Sequence, residues 1–567
     1  MTASETGVVD LEILRHKLQA VTVEMASMLS SGALAPSINE ERDFAVGIVS
    51  PTGEVVALDN PLRLGALEET ARGLTRYFKF DMQDGDVALV SDPHRGPRTV
   101  HDWTVLMPLI INSTTVLHLI AVGHVRDVGG MLGGSYYPPA EDVWGEGVPL
   151  SPVKVRRYGR PVRDIVQTVL LNSRLEDEVA RDLETLVASL HLGRDRLNDL
   201  VQRYGLELVK AAADYTLDYT ERRVRSLVAS WPDGTGQGEA VLTHNGVESI
   251  RGLVKARCTI DGERLTIDLS DSDPQGIGFV NSTAGNTTGL ALAPLLCVLG
   301  RDIAVNSGLT RVVDIVLAPG SLVHADRPAA VGWSPYHCGS EIVEAVSEAF
   351  AGALSAVAVN PGASRPLVVV APDVDVMRRV DPGQFAIGRG CAIDGVDGWG
   401  AAATLARASF PSIEAWNSTS DLPIRRMELV EDSAGSGEWR GAAAVEVLID
   451  IPIDRPITLF APPSNSGERR GAGGFVRFSQ DGVDMPTPAV VVNEPMRYRS
   501  LRLVSAGGPG YGDPLLRDPS AVQADVLDGL ISPRDAIRTY GLNSPDRTPS
   551  SSQRQGTAST PRGTHGR

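Results

Sequence analysis

Two short stretches gather the side chains best suited to chemistry. Residues 91–104, SDPHRGPRTVHDWT, place Asp92, His94, His101 and Asp102 in one span punctuated by Pro93, Gly96 and Pro97. Pro and Gly disfavour regular structure, so the span reads as a loop. The apolar runs 87–90 and 105–111 that flank it make it a connection between two strands. Residues 121–130, AVGHVRDVGG, end another apolar run and add His124 and Asp127 before a pair of glycines. Imidazole and carboxylate together suit a divalent ion such as Zn or Mn. Two strand ends, each carrying His and Asp, could converge on one ion. A plainer reading stands beside this one: Asp before Pro starts a turn, and a loop His can be merely solvated. Asp43, at the mouth of the 44–49 run, is adequately explained by itself as a strand-start carboxylate. What favours a site is a loop rich in Asp and His carried on a rigid scaffold.

The elements that must position these residues are legible as periodicities. Leu11, Leu14, Leu18, Val21, Met25 and Leu29 lie on one face of a helix over 10–31. Runs 44–49 and 55–58 are strands joined by Pro51-Thr52-Gly53. A helix is expected over 68–78. The uncharged stretch 103–123 is long enough to span a membrane, but Asn112-Ser113-Thr114-Thr115 in its middle marks a turn, so it reads as a buried hairpin. A Pro-rich extended connection follows, then helices over 183–204 and 207–227. Trp231-Pro232-Asp233-Gly234 breaks the chain. Strands are expected at 239–243, 253–260 and 264–269, a helix at 341–359, and a mixed region over 367–504. Two short helices, 521–527 and 533–540, follow Ser520 and Ser532 as caps and should pack back through Val522, Val526, Leu527, Leu530 and Ile537. The fold class is mixed α/β (α+β) and multidomain: an N-terminal metal-bearing region 1–230, a second mixed region 235–515, a helical extension 516–543, and a disordered tail 544–567 poor in apolar residues.

Composition narrows the function. At 567 residues the chain exceeds a single core, and roughly 150 residues per domain gives about three or four. A net charge of -17 argues against nucleic acid or anionic membrane as partner. Cys258, Cys297, Cys338 and Cys391 form no CxxC pair, which argues against a zinc finger or a disulfide framework. No GxxxxGK[ST] occurs; Gly435-Ser436-Gly437 and the Gly-x-Gly of residues 505–514 are weak signals, so nucleotide binding by this chain is not expected. The N-terminus has no basic start followed by an apolar core, and a cytoplasmic location is expected.

Several motifs in order carry a family resemblance. SINEERDF at 37–44, SDPHRG, GHVRDVGG, EGVPLSPVK, Asn172-Ser173-Arg174, DLETLVASLHLGRDRL, ERRVRSL, Trp439-Arg440-Gly441, ERRGAGG and the closing GGPGYGDPLLRDPSAVQADVLDGLISPRDAIRTYG run across roughly residues 10–542. The chain resembles the hydantoinase B/oxoprolinase family, the B-type subunits of ATP-dependent N-methylhydantoinases, 5-oxoprolinases and caprolactamase, which are related to the alpha subunits of acetone carboxylase. That resemblance implies a two-subunit machine. ATP is held by a hydantoinase A-like subunit, which phosphorylates the carbonyl oxygen of a small cyclic amide, and the B-type subunit completes the ring opening with a metal-activated water.

The resemblance also implies a metal set of Asp, His, Asp and His. The first Asp falls on Asp43, the second on Asp102 and the last His on His124. The family loop reads like NDPYxGGTHLPDVT, and here its His position holds Thr99, a poor ligand. His101 stands two residues later, where Pro is usual, and His94 replaces an aromatic. Arg63 stands where His is common. His101 is the candidate for a fourth ligand or general base, although residues two apart on an extended chain lie roughly 6.6 Å apart, so the backbone must shift for it to substitute. Asp127 is the second catalytic candidate, supporting the site from behind, and His94 is a weaker one. Asp92 is equally well a turn cap. Two other readings stay open: the alpha-type subunit of an ATP-dependent ketone carboxylase, and a binding subunit with a degenerate metal site.

Overall fold

The computed structural model describes residues 3–79, 81–300, 303–354, 371–372, 390–400, 412–419, 422–451, 456–460, 475–480, 483–485, 489–495 and 497–542. The expected tail 544–567 and the ERRGAGG motif lie outside the described residues. The fold is mixed helices and several sheets, as the periodicities indicate.

The organising element is a seven-stranded sheet. Its strands are β1 (Phe44–Val49), β2 (Val55–Leu58), β3 (Val87–Val90), β4 (Asp102–Ile111), β5 (Thr114–His124), β6 (Val153–Arg157) and β7 (Arg160–Pro161), in the order β2-β1-β5-β4-β3-β6-β7. The uncharged stretch is the β4–β5 hairpin. Its turn residues Asn112 and Ser113 have φ of 51° and 61°, as a two-residue turn that follows strand twist requires. Both faces of the sheet are covered, which is why its strands read as unbroken apolar runs. On one face, Val46, Ile48, Met107, Leu119 and Ala121 pack against Leu18, Met25 and Leu29 of the helix Ala3–Gly32 and Leu183, Leu186 and Leu190 of the helix Glu176–Tyr204. On the other, Ala45, Leu106, Ile120 and Val122 join a cluster that continues through Leu67 and Leu74 to Val254, Ile267 and Phe350.

That second cluster leads into a four-stranded sheet ordered β11-β10-β9-β8, made of β8 (Gly234–His244), β9 (Ser249–Asp261), β10 (Arg264–Asp268) and β11 (Val313–Val316). The helix Gly339–Ala353 lies on it, with the residues expected to continue that helix beyond 354 outside the described set. The described parts of the 367–504 region include strands of a three-stranded and a five-stranded sheet and the helix Ile413–Thr419. Among the described residues no helix is long and apolar enough to cross a membrane.

Two local expectations are corrected. The first short C-terminal helix, Pro519–Leu527, is capped by Asp518, whose carboxylate accepts from the Ser520 N–H; Ser520 lies inside the first turn. Ser532 does cap the second helix, accepting from the Asp535 N–H. The pair packs through Val522, Ile531, Ala536 and Tyr540, with Val526 and Leu542 against them, whereas Leu527 and Ile537 face solvent. Helices this short have narrow apolar stripes, so neighbouring apolar residues fall outside the contact.

Candidate functional site

The site is assembled by strand ends. Asp43 precedes β1, Asp102 opens β4 and His124 closes β5. β1, β5 and β4 are neighbours, so these ends share one edge of the sheet. Asp102 and His124 are directly paired across the β4–β5 ladder, and the His124 N–H donates to the Asp43 carbonyl at 3.1 Å. The Ser37 hydroxyl of the SINEERDF motif donates to the His124 carbonyl at 2.6 Å and fastens the end of β5. The three residues singled out in the sequence therefore converge.

Two arginines fill the space between the carboxylates. Arg63 comes from the short turn Pro61–Arg63 that enters the helix Leu64–Tyr77. Gly65 lets that helix seat closely, because a Cβ there would lie 2.5 Å from the Gly285 carbonyl. Arg63 donates through Nη1 to Asp102 Oδ2 at 2.9 Å and through Nη2 to Asp43 Oδ1. Arg98, from the loop before β4, donates through Nε to Asp102 Oδ2 and through Nη2 to Asp43 Oδ1, both at 3.0 Å. Each guanidinium thus bridges both carboxylates, and all four side chains are buried. Burial pushes the carboxyls of Asp43 and Asp102 up, but the adjacent Arg63 and Arg98 outweigh it and hold both below the ordinary carboxylate range, Asp102 strongly so.

The remaining carboxylate oxygens face His124, whose Nδ1 lies 3.3 Å from Asp102 Oδ1 and 3.6 Å from Asp43 Oδ2. Ionised carboxylates only accept, so the proton in the contact with Asp102 sits on Nδ1, and Nε2 makes neither of these contacts. The His101 ring stacks on that of His124, with centroids 4.7 Å apart and planes at 10°. Its own nitrogens are turned to carbonyls, Nδ1 to Val125 at 2.9 Å and Nε2 to Ser135 at 3.3 Å. Burial, and then the neighbouring His124, push His101 down to about 4, so it is neutral near pH 7. Thr99 is buried with no hydrogen bond to its hydroxyl.

The fit to a divalent ion is poor in this arrangement. Asp43 Oδ1 and Asp102 Oδ2 each accept from two guanidinium N–H groups, and the His101 nitrogens point to backbone. Among the described residues no group of three or more His, Cys, Asp and Glu is placed to hold a metal.

The other sequence candidates have structural partners. Asp127 is fully buried and accepts from the N–H groups of Gly129, Gly134 and Arg174 and from Arg174 Nη1 at 3.1 Å. Its oxygens are spent on folding the Gly129-Gly130 loop. Asp92 caps its turn, accepting from the His94 N–H, and also meets Arg95 and Arg327. His94 Nε2 lies 3.0 Å from the Ala329 carbonyl.

Beside the cluster is a cavity of about 40 Å³, lined by Asp43, His101, His124, Glu41, Arg126 and Glu146 and walled by Tyr136, Tyr137, Phe279, Trp333 and Tyr336. It has room for a few ordered waters. Glu146 is buried and accepts from the N–H groups of Val331 and Gly332; burial pushes its carboxyl up to about 8. Arg98, Glu146 and the aromatic wall were not evident from periodicity.

The chain belongs to the hydantoinase B/oxoprolinase family, whose profile matches residues 8–514. Among its relatives, the beta chain of the caprolactamase of Pseudomonas jessenii is 26% identical, covering 94% of this chain and 96% of that protein. A putative D-/L-hydantoinase of Pseudomonas sp. has a B-type subunit that is 25% identical over 95% of each chain. The crystal structure of the ATP-dependent caprolactamase from Pseudomonas jessenii superposes with a TM-score of 0.84 at 25% identity, covering 94% of this chain and 96% of that one. A nucleotide-free acetone carboxylase structure shares the fold, with a TM-score of 0.79 at 19% identity, 94% of this chain and 79% of that one.

Proposed function

We propose that this chain is the B-type subunit of an ATP-dependent cyclic-amide hydrolase, opening a lactam, hydantoin or 5-oxoproline-type ring in the cytoplasm with a hydantoinase A-like, ATP-binding partner. The observation that carries this reading is the likeness to the caprolactamase over nearly the full length of both chains. An amide resists water because its carbonyl is resonance-stabilised and its leaving group poor. Phosphorylation of the carbonyl oxygen by the partner ends the amide resonance; water then adds to that carbon, the ring nitrogen takes a proton and departs to leave an acyl phosphate, and a second water releases phosphate and the ring-opened acid.

His124 is suited to the addition of water. With Nδ1 turned to Asp102 and near Asp43, the neutral ring would offer Nε2 to take a proton from water in the cavity that the ring lines. His101, stacked behind it, fixes the plane of the ring. Glu146 retains its proton near neutral pH and faces the same cavity, where it supports an acid role towards the departing nitrogen.

The guanidinium pair favours a second reading, a subunit that holds substrate without turning it over. The experiment that separates the two is reconstitution of this chain with its A-type partner, followed by a ring-opening assay with ATP on caprolactam, hydantoin and 5-oxoproline. The proposal expects ATP-dependent opening of one of these rings by the complex and none by this chain alone. Binding with no opening of any ring would favour the second reading.

A further inference from the structure

The Asp43–Asp102 pair is built as a receptor for two positive charges, and those charges are already covalently part of the chain. Two ionised carboxylates carry -2, and Arg63 and Arg98 carry +2, the charge a divalent ion would bring. The match extends to geometry. Arg63 and Arg98 each span both carboxylates, so Asp43 Oδ1 and Asp102 Oδ2 each accept two N–H donors. A metal ligated at about 2.0–2.2 Å would have to evict both heads. Neither head has a route to water, since both side chains are 1% exposed. Neither can be neutralised by losing its proton, as a Lys or His in the same place could.

We propose that Arg63 and Arg98 are a resident substitute for a divalent cation: they neutralise Asp43 and Asp102 and hold His124 without a metal. The inference concerns the charge at the strand ends and does not depend on which ring the protein acts on. It also accounts for three departures at once. The family resemblance implies His where Arg63 and Thr99 stand, and Thr where Arg98 stands. Loss of nitrogen ligands and gain of two fixed cations are complementary changes. Thr99 is left buried with an unpartnered hydroxyl, which fits a position relieved of ligation.

The test measures metal, not activity. The full chain, stripped with chelator, is dialysed against ZnCl2 or MnCl2, desalted, and its metal content read by elemental analysis alongside thermal unfolding. The expected result is metal well below one equivalent and a Tm unmoved by metal or chelator. One tightly held equivalent that disappears in His124→Ala would overturn the proposal. The triple variant Arg63→His, Arg98→Thr, Thr99→His should gain one equivalent and a metal-dependent rise in Tm. A folded triple variant that takes up no metal would also count against the substitution. If that variant fails to fold, the wild-type measurement decides alone.

Discussion

Asp102 and His124 face one another as paired residues of β4 and β5, with His124 Nδ1 3.3 Å from Asp102 Oδ1. The opposite oxygen of Asp102 accepts from Arg63 and Arg98, so one carboxylate joins a histidine facing the cavity to a buried pair of cations. The order of strands dictates this arrangement, because the β4–β5 register sets which residues meet at the sheet edge.

The ring of two carboxylates and two guanidiniums is stable only as a whole. Arg98→Met should leave buried negative charge incompletely compensated and cost about 3–5 kcal/mol of unfolding free energy, the usual penalty for removing one partner of a buried ion pair. Urea unfolding of the full chain measures it. A change within experimental error would show that Arg98 does not sit in the ring.

Glu146 should make stability fall as pH rises. Its carboxyl is raised from an ordinary value of 4.5 to about 8 in the folded chain. Between those values the folded state holds a proton that the unfolded state has released. Its contribution is therefore fully present below about pH 4.5 and is lost progressively up to about pH 8. The expected outcome is a Tm for wild type that declines across this window relative to Glu146→Gln, whose side chain does not titrate. Parallel Tm curves would contradict the raised value.

Asp127 should behave as a structural residue. Asp127→Asn removes the charge that Arg174 and three backbone N–H groups share, and hydrogen bonds to a charged group are worth about 1.5–3 kcal/mol each. The variant should melt lower while ring opening per folded molecule stays near wild type. Loss of turnover with an unchanged Tm would restore Asp127 to the chemistry.

Strands and long helices were legible because both faces of the first sheet are buried and the helices each show one apolar stripe. β1 and β2 fall on their expected bounds, and the helix expected over 183–204 begins earlier, at Glu176, with an acidic start followed by the buried Val179 four residues before Leu183. That the ends carrying Asp102 and His124 could meet was readable from carboxylate and imidazole at two strand ends, whereas Asp43 joined them only through the family resemblance, because a strand-start carboxylate is explained by itself. The destinations of Arg63 and Arg98 were not legible, because a loop side chain is aimed by tertiary packing and not by a local period. The same holds for Glu146, whose role depends on the N–H groups of Val331 and Gly332 some 185 residues away. His101 was a candidate ligand by residue type although its spacing required a backbone shift, and its ring nitrogens face the carbonyls of Val125 and Ser135, to one of which the neutral ring can donate.

The most direct test of the account is ring opening by the reconstituted two-subunit complex with wild-type chain and with His124→Gln, measured together with complex formation. The account predicts that the variant assembles normally and opens the ring about 10²–10⁴-fold more slowly, the range for loss of a general base. Ring opening at the wild-type rate by an assembled His124→Gln complex would place the chemistry elsewhere and contradict it.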